Sequence, residues 1–94
     1  MNLEEILQNP KTTFIDVREE LELINDGAIA SALHIPLGEI PEHIEAIEAM
    51  EKPVVIFCRS GNRSGKAIEF LEAQGIEGLY NGGGYLDLVD ILES

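Results

Sequence analysis

Apolar positions along the chain follow two rhythms, one of helices and one of strands. Leu3, Ile6 and Leu7 share one face at helical spacing, and Asn2 with Glu5 three residues on has the form of a capping box. The chain is therefore expected to open on a short helix, ended by Asn9-Pro10. Thr12-Thr13-Phe14-Ile15-Asp16-Val17 is β-branched and apolar and predicts a strand. Residues 18–25 are helix formers that stop at Asn25-Asp26-Gly27. Ala32-Leu33-His34-Ile35 predicts a second short strand before Pro36. Pro41 is expected near the start of a helix in which Ile40, Ile44 and Ile47 share one face.

Lys52-Pro53-Val54-Val55-Ile56-Phe57 is the strongest strand signal, a continuous apolar run suited to a central strand buried on both faces. Arg59-Ser60-Gly61-Asn62 is polar and predicts a loop. Ser64 to Gln74 predicts a helix with Ala67, Ile68 and Leu71 inward, closed by Gly75 as a left-handed cap. Gly78-Leu79-Tyr80 predicts the next strand and Gly82-Gly83-Gly84 a flexible turn. Tyr85 to Leu92 predicts a final helix with Leu86, Val89 and Leu92 at helical spacing. Strands alternating with helices through short connections imply an α/β fold, a central parallel sheet flanked by helices on both faces. The length, 94 residues, suits a single domain spanning 1–94. In such sheets ligands bind beyond the carboxyl ends of the strands.

Charge narrows the partners. Eighteen Asp and Glu stand against six Lys and Arg, a formal net charge of -12. Nucleic acid and anionic membrane surfaces are disfavoured, because both need a basic face. No apolar stretch is long enough to cross a bilayer, and Met1-Asn2-Leu3-Glu4-Glu5 lacks the basic start of a signal peptide, so a cytoplasmic protein is expected. There is one cysteine, so no internal disulfide can form. One cysteine and two separated histidines supply no metal-ligand spacing, and the glycine run does not fit a nucleotide loop. No cofactor is expected. The glutamates at 39, 42, 45, 48 and 51 drift around a helix surface and read as a solvated face.

Three of the six cations, Arg59, Arg63 and Lys66, follow directly after Cys58. The segment Cys58-Arg59-Ser60-Gly61-Asn62-Arg63-Ser64 is a strand end, a polar loop and a helix start. Such a loop can curl so that successive amides point inward as an anion nest, with Gly61 and Asn62 tolerating the positive φ this needs. Amides, a helix N-terminus and nearby cations lower a cysteine pKa from about 8.5. Taken alone, Cys58 also fits a small buried core residue and the arginines fit solvated charges. The coincidence of all these features favours a nucleophile. Four residues separate Cys58 from Arg63, one fewer than in cysteine-dependent phosphatases, and Phe57 stands where many of those carry histidine. His34 and His43 read as structural or surface residues.

Ile15-Asp16-Val17-Arg18-Glu19, Ile35-Pro36-Leu37, Pro53 through Ser64 and Leu79-Tyr80-Asn81 with its glycines together resemble the rhodanese family of sulfurtransferases. The resemblance runs from about Thr12 to Leu92. It implies a parallel sheet sandwiched by helices and a catalytic Cys58. Cys58 would take the sulfane sulfur of thiosulfate or a similar small anionic donor as a persulfide, then pass it to cyanide, a thiol or a protein acceptor. It further implies that the loop Arg59, Ser60, Gly61, Asn62, Arg63 and Ser64 binds substrate. Arg59 would meet the donor's anionic end, Arg63 would fix the loop by pairing with an acid, and Asp16 with Arg18 would form a structural pair. The alternative is a non-enzymatic sulfur carrier or interaction module. Ala28, Ser31 and His34 replace the His, Gly and Asn common in the family, and Leu88 stands where a tryptophan is frequent. Tyr85 replaces an aliphatic and is expected as a core aromatic or at the pocket border.

Overall fold

The computed structural model describes residues 2–92. Asn2 Oδ1 accepts from the Glu5 amide at 2.9 Å and opens helix α1, Leu3–Gln8. Strand β1, Thr13–Asp16, is followed by α2, Glu20–Asp26, and by the two-residue strand β2, Leu33–His34. A 3₁₀ segment, Leu37–His43, leads into α3, Ile44–Ala49. Then come β3, Val54–Cys58, α4, Asn62–Ala73, β4, Leu79–Gly84, and α5, Tyr85–Leu92. The four strands form one parallel sheet in the order β2-β1-β3-β4. β3 lies between β1 and β4, and all five of its residues are buried.

The two faces of the sheet bury different side chains of the same strand, as a period of two requires. Val54, Ile56 and Cys58 pack with Ile40, Ile47, Ala67 and Leu71, which belong to the 3₁₀ segment, α3 and α4. Val55 and Phe57 pack with Ile6, Leu7, Tyr85 and Leu88 of α1 and α5. Helices therefore cover both faces. Helix α2 buries none of its residues.

Three local expectations change. Pro41 lies within the 3₁₀ segment, and the α-helix starts only at Ile44. Proline lacks the amide that an α-helix interior needs, so the stretch around it winds differently. The glycines 82–84 are not a turn but the end of β4, where the pairing with β3 shifts register between Ile56 and Phe57. A side chain at Gly82 would place its Cβ 2.7 Å from Val55 Cγ1, so glycine there lets the strand close on the sheet. On α5, Tyr85 and Leu88 are the buried residues, while Leu86 faces solvent.

Candidate active site

The parallel strands place Cys58 at the carboxyl edge of the central strand, where β3 hands over to α4. The turn between them is short because Gly61 adopts φ +90°, a left-handed conformation open to glycine at little cost. Its Cβ position lies 3.3 Å from Gly83 Cα, so β4 also leaves little room there. Asn62 is already the first residue of α4, and among the described residues only glycines have positive φ. Asn62 thus contributes helix, not the left-handed turn expected of it.

The loop turns inward on the sulfur. The Gly61 amide donates to Cys58 Sγ at 3.0 Å, and Ser64 Oγ lies 3.5 Å from it. Burial pushes the Cys58 thiol up. Hydrogen bonds from the Ser64 hydroxyl and from the Ser64, Ser60 and Gly61 amides outweigh it and lower the pKa to about 7. Hydrogen bonds to the ionised form, rather than salt bridges, thus head the forces that acidify the sulfur.

The arginines are employed elsewhere. Arg63 donates to Glu22 through Nη1 at 2.7 Å and Nη2 at 2.8 Å, a two-pronged pair joining α4 to α2. That pairing holds the Glu22 carboxyl down at about 2, and burial opposes it. Glu22 also accepts from the Glu19 amide at 2.8 Å, closing a capping box at the start of α2. Arg59 extends into solvent, 72% exposed, with its nearest acid Asp26 at 3.9 Å. A cavity of about 180 Å³ opens beside it, lined by Arg18, Asp26, Arg59, Tyr85 and Leu86.

Beneath that cavity lies the Asp16–Arg18 pair. Arg18 Nε sits 3.1 Å from both Asp16 oxygens, and Nη2 reaches Asp16 Oδ2 at 2.8 Å and the Gly27 carbonyl at 2.9 Å. The guanidinium lies 4.0 Å from the centre of the Tyr85 ring. Both charges are buried, so only such full pairing makes them tolerable. Tyr85 is therefore at once a core aromatic and a wall of the cavity. His34 Nε2 meets the Arg18 carbonyl at 2.7 Å and His43 Nδ1 the Glu39 carbonyl at 2.9 Å; both rings serve the backbone.

Two residues of the site have roles that the sequence does not assign, although Asn81 stands in a segment that carries the resemblance. Glu22 looks like any other carboxylate of an acidic chain. Asn81, on β4, accepts from the buried Ser64 hydroxyl at 2.7 Å and donates to the Gly61 carbonyl at 2.9 Å. It lies seventeen residues from Ser64, and only the pairing of β4 beside β3 brings it there.

Comparison with known proteins places the chain in a family and agrees with its fold. The family model for the rhodanese-like domain matches residues 2–89. The Bacillus subtilis protein YtwF is 37% identical over 83 residues, covering 88% of this chain and 79% of its own. The thiosulfate sulfurtransferase PspE of Escherichia coli is 34% identical over 80% of this chain and 72% of its own. A solved structure described as a rhodanese with anions from E. coli superposes with a TM-score of 0.70 at 31% identity, over 81% of this chain and 89% of that one. Other relatives are longer: the chain matches 42% of a Synechocystis protein and 55% of another from B. subtilis.

Proposed function

The chain belongs to the rhodanese-like sulfurtransferase family, and from that premise we propose that it moves a sulfane sulfur through a persulfide on Cys58. One observation carries the reading: its single cysteine ends the central strand with its sulfur held by a loop amide at 3.0 Å and a pKa lowered to about 7. The Cys58 thiolate attacks the outer sulfur of thiosulfate. A Cys58 S–S bond forms, the donor's S–S bond breaks, and sulfite leaves with the electron pair. Cyanide or a thiolate then attacks the terminal sulfur, and Cys58 leaves as the thiolate. With no second cysteine to form a disulfide, the acceptor is external, a small thiol or a protein thiol.

Arg59 is the contact for the donor's anionic end, because its ion pair with Asp26 is long, 3.9 Å, and exposed, whereas Arg18 and Arg63 are held by close carboxylates at 2.8 and 2.7 Å. Ser60, Gly61 and Ser64 supply donors around the sulfur; Arg63 ties the loop to α2 through Glu22, and Asn62 begins α4 behind it. Residues 1–94 act as one domain, and the unpaired thiol suits a reducing, cytoplasmic setting.

The test is direct. After incubation with thiosulfate the intact mass should rise by one sulfur atom, and cyanide should then release thiocyanate catalytically. Cys58→Ala should abolish both. Sulfur loading without turnover to any acceptor would identify a carrier instead, and turnover by Cys58→Ala at the wild-type rate would remove Cys58 from the chemistry.

A further inference from the structure

Ser64 has one hydroxyl proton and two neighbours that can receive it. Asn81 Oδ1 lies 2.7 Å away and Cys58 Sγ 3.5 Å away. Asn81 cannot flip to relieve the competition. Its Oδ1 also accepts from the Gly83 amide at 2.9 Å, while its Nδ2 donates to the Gly61 carbonyl at 2.9 Å, so each atom faces the partner it needs. With the thiol protonated, the Ser64 proton points to Asn81 and its oxygen accepts from the S–H. With the thiol ionised, the sulfur has only lone pairs to offer, and the hydroxyl must turn towards it to remain useful.

We propose that Asn81 is a positioning residue that acts through Ser64, holding the Ser64 hydroxyl proton away from the Cys58 sulfur until that sulfur ionises. The thiol proton leaves to solvent, the hydroxyl proton stays on Ser64 and only rotates, and Asn81 Oδ1 keeps the Gly83 amide as its remaining donor. Asn81 thus opposes ionisation, because the rotation breaks the shorter of the two contacts. Through Nδ2 it also fixes the peptide of Gly61, whose amide touches the sulfur. The charged groups around the loop are accounted for separately. On α4, Arg63 is held by Glu22 of α2, and Lys66 lies one turn further along. Arg59 stands near Asp26, Arg18 is locked on Asp16 at the end of β1, and Asp87 of α5 borders Gly84.

This inference rests on Cys58 being the reactive thiol, but its test needs no sulfur donor, so the two readings fail separately. The chain has one cysteine, and its thiolate absorbance in the ultraviolet can be followed against pH without ambiguity. Asn81→Leu removes the competing acceptor, and the midpoint should fall by about half to one pH unit. Asn81→Asp strengthens the acceptor and should raise it. In a Ser64→Ala background, Asn81→Leu should no longer lower the midpoint, because only the loss of the Nδ2 brace on Gly61 then remains. A residue that merely braces the loop would behave differently: every Asn81 substitution would loosen the Gly61 amide and raise the midpoint. A rise in Asn81→Leu, or the same shift with and without Ser64, overturns the proposal. Should Asn81→Leu not fold, Asn81→Ala is read in the same way, and an unchanged or lowered midpoint in Asn81→Asp also overturns it.

Discussion

Cys58 is buried, yet its thiol is more acidic than an exposed one, so local hydrogen bonds outweigh desolvation at this atom. A pKa of about 7 leaves about half of the protein as thiolate at neutral pH. The rate of alkylation by a small haloacetamide should therefore rise with a midpoint near pH 7 and level off above pH 8. A midpoint of 8.5 or higher, the range of a free cysteine, would mean that the loop amides do not act on the sulfur. Arg59 acts on the other partner. With thiosulfate as donor, Arg59→Ala should raise KM about ten-fold while leaving the alkylation midpoint in place, since its guanidinium is not among the sulfur's hydrogen-bond donors. An unchanged KM would return Arg59 to solvent. At this scale the sequence carries the nucleophile and the glycine that turns the loop, because both are chemically distinctive residue types in one short segment. It carries Asn81 only as part of a motif and not its role, which exists only once β4 lies beside β3.

Between elements, the Arg63–Glu22 pair is the link that ties the start of α4 to α2, a helix that buries no residue of its own. The lowered Glu22 pKa makes this link pH-dependent. A carboxyl depressed in the folded state stabilises the fold above its unfolded pKa, and that stability drains as pH falls from 4.5 towards about 2. Glu22→Gln should thus lower the melting temperature at pH 7 and have little effect once the pH is near 2. The pair is partly exposed, so solvent screening limits its worth to about 1 kcal/mol, or roughly 4–8 °C for a domain of this size. A loss at pH 7 that persists undiminished in acid would assign the effect to the capping box at Glu19 instead. The elements themselves were largely legible, because continuous apolar strands and amphipathic helices differ in period. The glycine run 82–84 was not: its composition signals a turn, while pairing with β3 and the lack of room for a side chain at Gly82 hold it as strand. The 3₁₀ segment was missed for the opposite reason, since the apolar spacing of Ile40, Ile44 and Ile47 continues through a proline that changes the winding.

Over the whole molecule, two fields of opposite sign meet at the site. The net charge of -12 is spread over a body of 33 × 31 × 19 Å, whereas Arg59 stands one residue from the nucleophile. The alternation of strands and helices made the parallel sheet legible, but the order β2-β1-β3-β4 is a property of the assembled fold. Screening separates the two fields. At 0.01 M ionic strength the Debye length of about 30 Å spans the molecule, and the full acidic shell repels a dianionic donor. At 0.15 M it shrinks to about 8 Å, and Arg59 dominates what the donor feels on arrival. With thiosulfate as donor, kcat/KM should therefore increase several-fold between these two conditions, an effect of the size expected for electrostatic steering, roughly ten-fold at most here. It should fall again near 1 M, where the Debye length is about 3 Å and salt anions compete for Arg59 itself. Arg59→Ala should keep the initial rise and lose the later fall. A steady decline from the lowest salt upward would show that the cation governs approach at every distance, and that the acidic shell faces away from the donor's path.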